Sequence, residues 1–273
     1  MTATTATKGP IEGYIVTTPP STREGDTVTI DAQSVYYRQV NEAIRAAFAD
    51  GAKHVVLNHV NGQRYIGTGI RTKDVTITVN GTPGQDMAML MDGPTLEVFG
   101  NAQDGVGNTM NAGKVIVHGS AGDVLGYGMR GGKVFIKGDV GYRVGIHMKA
   151  YEDLRPIMVA GGKARDFFGE YMAGGLLILL GMNSRLEGPL VGGYLGTGMH
   201  GGAIYIRGDV EPWQCGAEVG VFTASEDDIA DIKPVLAEYC EAMGMDLDEV
   251  LAKPFTKLVP VSHRPYGKLY TYL

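Results

Sequence analysis

Residues 107–119 read GNTMNAGKVIVHG and residues 126–138 read GYGMRGGKVFIKG; the same frame returns as GEYMAGGLLILLG at 169–181 and GTGMHGGAIYIRG at 196–208. Gly107, Met110, Gly113 and Gly119 thus recur as Gly126, Met129, Gly132 and Gly138. They recur again as Gly169, Met172, Gly175 and Gly181, and as Gly196, Met199, Gly202 and Gly208. Repetition of this kind is the mark of a solenoid, in which each turn of chain stacks on the last. An aliphatic residue stands four and two places before each final glycine, as in Val115 and Val117 or Ile204 and Ile206. Weaker copies end at Gly81, Gly100 and Gly161, the last with Ile157 and Val159 as its pair. Gly62, Gly81, Gly100, Gly119 and Gly138 follow one another at 19 residues.

Alternation over four to six residues between glycines argues for short strands with one buried face. No helical period runs through a repeat, so the predicted fold is mainly β: a right-handed, single-stranded β-helix. Each inward aliphatic residue then sits above its equivalent at about 4.8 Å, and about seven or eight turns make a body roughly 35 Å long. Right-handedness is expected because crossovers between parallel strands take that hand. Glycine supplies the corners, where a tight turn needs positive φ and leaves little room for Cβ. A β-sandwich has no reason to keep a 19-residue period, and a glycine-rich linker would not hold aliphatic residues in register.

Outside the repeats the period changes. Val40, Ala43, Ile44, Ala47 and Phe48 line one face of a helix over 36–50, stopped by Gly51 and placed to cap the first coil. Three segments follow: 1–54 with the capping helix, 55–210 as the β-helix, and 211–273 as a helical extension with an aromatic tail. In the last, Ser225 and Asp228 start a helix that Pro234 should interrupt or kink. A second helix runs from Leu247 to Lys253, and the chain from Phe255 to Leu273 should pack down. The 19-residue rhythm fails after Gly138, and the extra residues predict two excursions, at 142–156 and 183–194, of the kind that often form a binding face.

The composition excludes several functions. Gly accounts for 41 of 273 residues, about twice the usual share, but without a collagen period. A net charge of −6 with acids and bases interspersed gives no electrostatic case for nucleic acid or an anionic membrane. Cys215 and Cys240 stand 25 residues apart with no third cysteine, too few for a structural zinc or an iron–sulfur cluster and compatible with a reducing compartment. No 18-residue apolar run and no leader-like N-terminus occur, so the cytoplasm is the expected location.

Candidate chemistry is sparse. The methionine ladder could be read as a soft-metal site, but equivalent residues of stacked coils point the same way and thioethers fill irregular interiors, so core packing is expected. His118, His147 and His200 occupy different repeat positions and make no cluster. The glycine clusters lead into strands rather than a helix N-terminus, unlike a phosphate-cradling loop. Arg143, His147, Lys149 and Arg155, in or near the first excursion, are the candidate partner contacts. No catalytic, cofactor-binding or metal-binding residue emerges.

The runs GNAQDGVGNTMNAG (100–113), GDVLGYGMRGG (122–132), GDVGYRVGIHMK (138–149), GEYMAGG (169–175) and GTGMHGG (196–202) resemble the GXGXG domain of glutamate synthase. With YYRQVNEAIR (36–45), the likeness extends to the free-standing subunit of archaeal-type glutamate synthases. The same fold is similar to that of one subunit of formylmethanofuran dehydrogenase. By resemblance the domain is a right-handed β-helix serving architecture, without turnover of its own. The implied partners are a glutaminase-like amidotransferase subunit and a ferredoxin-type synthase subunit carrying FMN and an iron–sulfur cluster, with a homo-oligomer also open. A molybdenum or tungsten enzyme of the formylmethanofuran type, a related synthase making N-methylated glutamate, and a homo-oligomer with a small loop site of its own are the alternative settings.

Overall fold

The computed structural model describes residues 13–184 and 186–261. A parallel sheet runs through the molecule from β2 (Thr27–Asp31) to β10 (Gly201–Arg207) by way of β3 (His54–Asn61), β4 (Thr76–Thr82), β5 (Asp92–Phe99), β6 (Ala112–Val117), β7 (Lys133–Ile136), β8 (Ile157–Ala160) and β9 (Ala173–Leu179). Strands follow their order in the sequence, as a solenoid requires. Val28, Val55, Ile77, Leu96, Val115, Val134, Met158, Leu177 and Ile204 stack in register along one inward column. The column is buried throughout and forms the axis of the main core. Met91, Met110, Met129, Met148, Met172 and Met199 are fully enclosed in that same core, so the methionine ladder is packing.

The coil begins earlier than the sequence pattern suggests. β2 already pairs in parallel with β3, and α1 (Tyr37–Ala49) lies in the crossover between them, burying Val40, Ile44 and Ala47 against the main core. The outer edge is closed by β1 (Ser21–Glu24), antiparallel to β2.

The other end is closed by two strands the sequence did not announce. β12 (Phe255–Pro260) pairs antiparallel with β10, and β11 (Val219–Thr223) pairs with β12 on its far side. Between β11 and β12 come α2 (Glu226–Met243) and α3 (Leu247–Leu251). At the start of α2, Ser225 Oγ accepts from the Asp228 N–H while Asp228 accepts from the Ser225 N–H. Gly244 ends it at φ 64°. The interruption expected at Pro234 does not occur, because Ile232, Leu236, Tyr239, Cys240 and Met243 are buried on both sides of the proline. Residues 262–273 of the aromatic tail lie outside the described residues.

These helices make a second core against the outer face of the sheet. Ile116, Phe135, Val159, Ile178 and Tyr205 point away from the coil interior and meet Ile232, Leu236 and Tyr239. This explains why the later strands read as continuous apolar runs, KVFI, IMVA and LLILL, while β4 alternates with threonine. It also corrects the register of one repeat. Ile157 and Val159 face α2, whereas Met158 and Ala160 face inward, so the equivalent terminal glycine is Gly162 rather than Gly161. Gly162 lies 24 residues after Gly138 and 19 before Gly181, so the rhythm resumes after a single insertion.

Candidate functional site

Each coil turns one corner through three alternate residues in the left-handed region. In seven successive coils the central residue is Gly67, Ala88, Gly107, Gly126, Gly145, Gly169 and Gly196, with φ between 61° and 78°. The residue two places earlier is Tyr65, Asp86, Gly105, Val124, Arg143, Phe167 and Tyr194, and the residue two places later is Gly69, Leu90, Thr109, Gly128, His147, Tyr171 and Gly198, all with positive φ. The N–H of an outer residue donates forward, as Arg143 does to Asp166 O at 3.0 Å and Tyr171 to Thr197 O at 2.8 Å. The central N–H donates backward, as Gly145 does to Leu125 O at 2.8 Å. Coil-to-coil hydrogen bonds on both sides therefore hold a conformation that costs a non-glycine residue about 1–2 kcal/mol.

Side-chain bonds reinforce the stack. Asp104 Oδ1 accepts from the Asp123 N–H at 2.9 Å and Asp123 Oδ1 from the Tyr142 N–H at 2.9 Å, while Asp166 Oδ1 accepts from the Gly193 N–H at 2.8 Å. A parallel series joins Asn101 to Ser120, Ser120 to Asp139 and Asp139 to Lys163. These acceptors lie against the backbone of the next coil, which explains glycine at 119, 122, 138, 141 and 192, where a Cβ would strike them.

Among the sequence-level corners, Gly107, Gly113, Gly126, Gly132, Gly169, Gly175, Gly181, Gly196, Gly202 and Gly208 have positive φ. At Gly119 and Gly138 it is the close approach of the previous coil that excludes a side chain.

Arg143 and His147 sit in this corner and not in an excursion. The chain from Tyr142 to Met148 repeats the 19-residue frame, so the first excursion contracts to the stretch between Met148 and β8. That copy was hidden because Tyr151 stands where the other copies have their second glycine. Arg143 donates from Nη1 to the buried Glu170 carboxylate, and its guanidinium lies 4.3 Å from the centre of the Phe167 ring. Phe167 in turn stacks on Tyr194 at 4.8 Å. In the neighbouring column Tyr127 meets His147 edge-on at 5.8 Å, and His147 stacks on Tyr171 at 5.3 Å. Two aromatic stacks thus step from coil to coil, and the Arg143–Glu170 pair joins adjacent coils beside them. Lys149 is exposed beside His147, across the inward Met148. Arg155 lies elsewhere, paired with Asp231 of α2 at 3.0 Å.

Phe167, Glu170, Tyr171 and Tyr194 were not singled out in the sequence. Their signal is the repeat frame itself: Phe167, Tyr171 and Tyr194 fall in the outer corner columns, and Glu170 directly follows the central glycine Gly169.

A cavity of about 560 Å³ lies on another side, against Asn183 and Ser184. Of its polar residues, Asn101, Ser120 and Asp139 belong to the coil-to-coil series, and His118 pairs with Glu97 at 2.8 Å. Lys137 Nζ donates to Met243 O at the end of α2 at 3.2 Å. His200 Nδ1 lies 3.3 Å from Gly198 O of its own loop. Among the described residues no three or more His, Cys, Asp or Glu side chains are grouped to hold a metal ion, and no helix is long and apolar enough to cross a membrane. Cys215 and Cys240 are free thiols, and burial pushes both above the usual range.

The family model described as GXGXG motif matches residues 36–262. The chain belongs to the GXGXG family. The alternation that gives the family its name is visible here as the three left-handed positions of each corner, whether or not glycine fills them. The uncharacterized protein MJ1350 of Methanocaldococcus jannaschii is 50% identical over 251 residues, which cover 89% of this chain and 96% of that protein. As a GXGXG β-solenoid, the chain belongs with domains found in glutamate synthase-like and formylmethanofuran dehydrogenase-like systems.

Proposed function

We propose that this chain is the architectural, non-catalytic subunit of a glutamate synthase-like complex. A glutaminase-like amidotransferase partner would release ammonia from glutamine. A second partner, carrying FMN and an iron–sulfur cluster, would reduce the 2-iminoglutarate formed from that ammonia and 2-oxoglutarate. The observation that carries the reading is the family match over residues 36–262, which takes in α1, the parallel strands from β3 to β10 and the closing strands β11 and β12. The side-chain chemistry supports it: the acids and amides at the corners spend their hydrogen bonds on holding coil to coil, and the buried acid Glu170 is paired with Arg143. A subunit of this kind contributes rigidity and a shaped surface.

Purification of the native protein under mild conditions tests this directly. Glutaminase-like and synthase-like chains identified by mass, travelling with flavin and iron–sulfur absorbance, are expected. A colourless protein that purifies alone would sink the reading, and pterin-cofactor partners would move it to the formylmethanofuran type.

A further inference from the structure

Stacked aromatic side chains are unevenly spread along the corner. Outside the three coils from Arg143 to Tyr194, glycine relieves the outer left-handed positions at Gly69, Gly105 and Gly128, whereas Tyr65, Asp86, Leu90, Thr109 and Val124 occupy the others. Within those three coils the six outer positions carry Arg143, His147, Phe167, Tyr171 and Tyr194, with Gly198 as the sixth. None of these five side chains is buried, and Tyr194 is 60% exposed. Tyr127 and Tyr142 flank them, also exposed. A fold that can place glycine in the same columns has no internal need for bulky side chains here. What sets these coils apart is that their strained positions carry exposed, mutually stacked rings and a guanidinium, and this points to a use outside the chain. Tyrosine and arginine are also the residue types that dominate binding hot spots, because they offer large rigid area with a polar tip.

Resting on the reading of this chain as a complex subunit, we propose that the corner face of Arg143, His147, Phe167, Tyr171 and Tyr194 is the docking surface for a protein partner. The partner is a segment with carboxylates set among apolar side chains. Charge complementarity selects it: Arg130, Lys149 and Arg165 stand two residues from the aromatic columns with no ion-pair partner among the described residues. The acids nearest the face in sequence are either engaged or at its rim. Glu170 is held by Arg143, Asp166 bonds the Gly193 N–H, and Glu152 and Asp153 lie in the following excursion. The aromatic rings supply the dry centre of the contact and the three cations its polar margin. A single-stranded nucleic acid would also use stacked rings and cations, but the net charge of −6 opposes it.

The test uses the full chain in its own cells, compared as wild type, as a triple His147→Gly, Tyr171→Gly, Tyr194→Gly variant, and as a control Leu90→Gly, Thr109→Gly variant. The control relieves two left-handed positions in one of the same columns, outside the aromatic patch. Glycine suits all five sites, so both variants should keep the wild-type thermal midpoint to within a few degrees or exceed it. Docking through the face predicts that the triple variant holds its partner about thirty-fold more weakly, the loss of a hot-spot group, while the control retains it. As a second reading that needs no variant, amine acylation of the wild-type assembly should find Lys149 protected relative to the isolated chain.

Equal partner retention by all three proteins, or a Lys149 as reactive in the assembly as alone, would overturn the docking face even if flavin and iron–sulfur chains co-purify. A partner lost only from the triple variant but lacking those chromophores would uphold the face and remove the glutamate synthase reading. Co-purification of nucleic acid in place of a protein, lost from the same variant, would overturn the protein assignment. A wild-type chain that holds no partner would overturn both proposals.

Discussion

Val124 and Gly132 sit in consecutive turns of one coil and define opposite errors. At Val124 a β-branched residue is held at φ 60°, where only the forward bond from its N–H to Tyr142 O at 2.8 Å compensates. Val124→Gly should therefore raise the free energy of unfolding by about 1 kcal/mol, read as a higher urea midpoint. Gly132 is the reverse case: at φ 79° an added Cβ would lie 2.6 Å from Met110 Cε and 2.9 Å from Gly113 O. Gly132→Val should cost about 2–3 kcal/mol, because it combines strain with overpacking against backbone. An unchanged midpoint would show that the corner does not constrain the residue. The glycine frame made Gly132 readable as a corner from sequence. Val124 was not readable, because a valine between apolar neighbours looks like strand until the columns of seven coils are aligned. Arg143 and His147 were noticed as charges but assigned to a loop for the same reason.

Among the elements, α2 is the one whose attachment responds to pH. Asp228 accepts from Lys257 Nζ at 2.5 Å and from the Ser225 N–H, and these bonds hold its carboxyl well below the usual value of 3.8. Burial raises the Glu238 carboxyl, but the ammonium groups of Lys114 and Lys133 that clasp it bring it net below its usual 4.5. Both groups are depressed in the folded state, so their contribution is complete above those ordinary values and is lost as pH falls through the lower folded ones. Amide exchange in α2, corrected for intrinsic rates, should accelerate relative to β4 and β5 on acidification from pH 5 to 3. Protection that falls equally in all three would refute a local release. Leu236→Ala removes a fully buried side chain from the same contact and should cost about 2–5 kcal/mol, measured by urea denaturation. The cap signals at Ser225 and Gly244 made the helix legible. Its site on the sheet was not, although the switch from alternating to all-apolar strands is the trace it leaves in the sequence.

The molecule as a whole is a rod with its two ends treated differently. Pro19 and Pro20 precede β1, whose short run STRE carries two charges and blunts that edge. The other edge is β11, which forms soon after the chain leaves the coil and is joined to β10 only when the chain has built two helices and returned as β12 between them. Strand pairing between β10 and residues some fifty positions later depends on non-local contacts that no repeat encodes, which is why β11 and β12 were missed while the parallel strands from β3 to β10 could be anticipated from glycine spacing.

A rod of this kind, with its corner acids and amides bonded coil to coil, is suited to holding other chains in place. The decisive measurement is glutamine-dependent glutamate formation by the purified partner chains with and without this protein. An architectural role predicts that glutamine hydrolysis and ammonia-dependent glutamate formation both persist without it. The coupled, glutamine-dependent rate should collapse and return when the chain is added back. Full coupled activity in its absence, or turnover by this chain alone, would contradict that role.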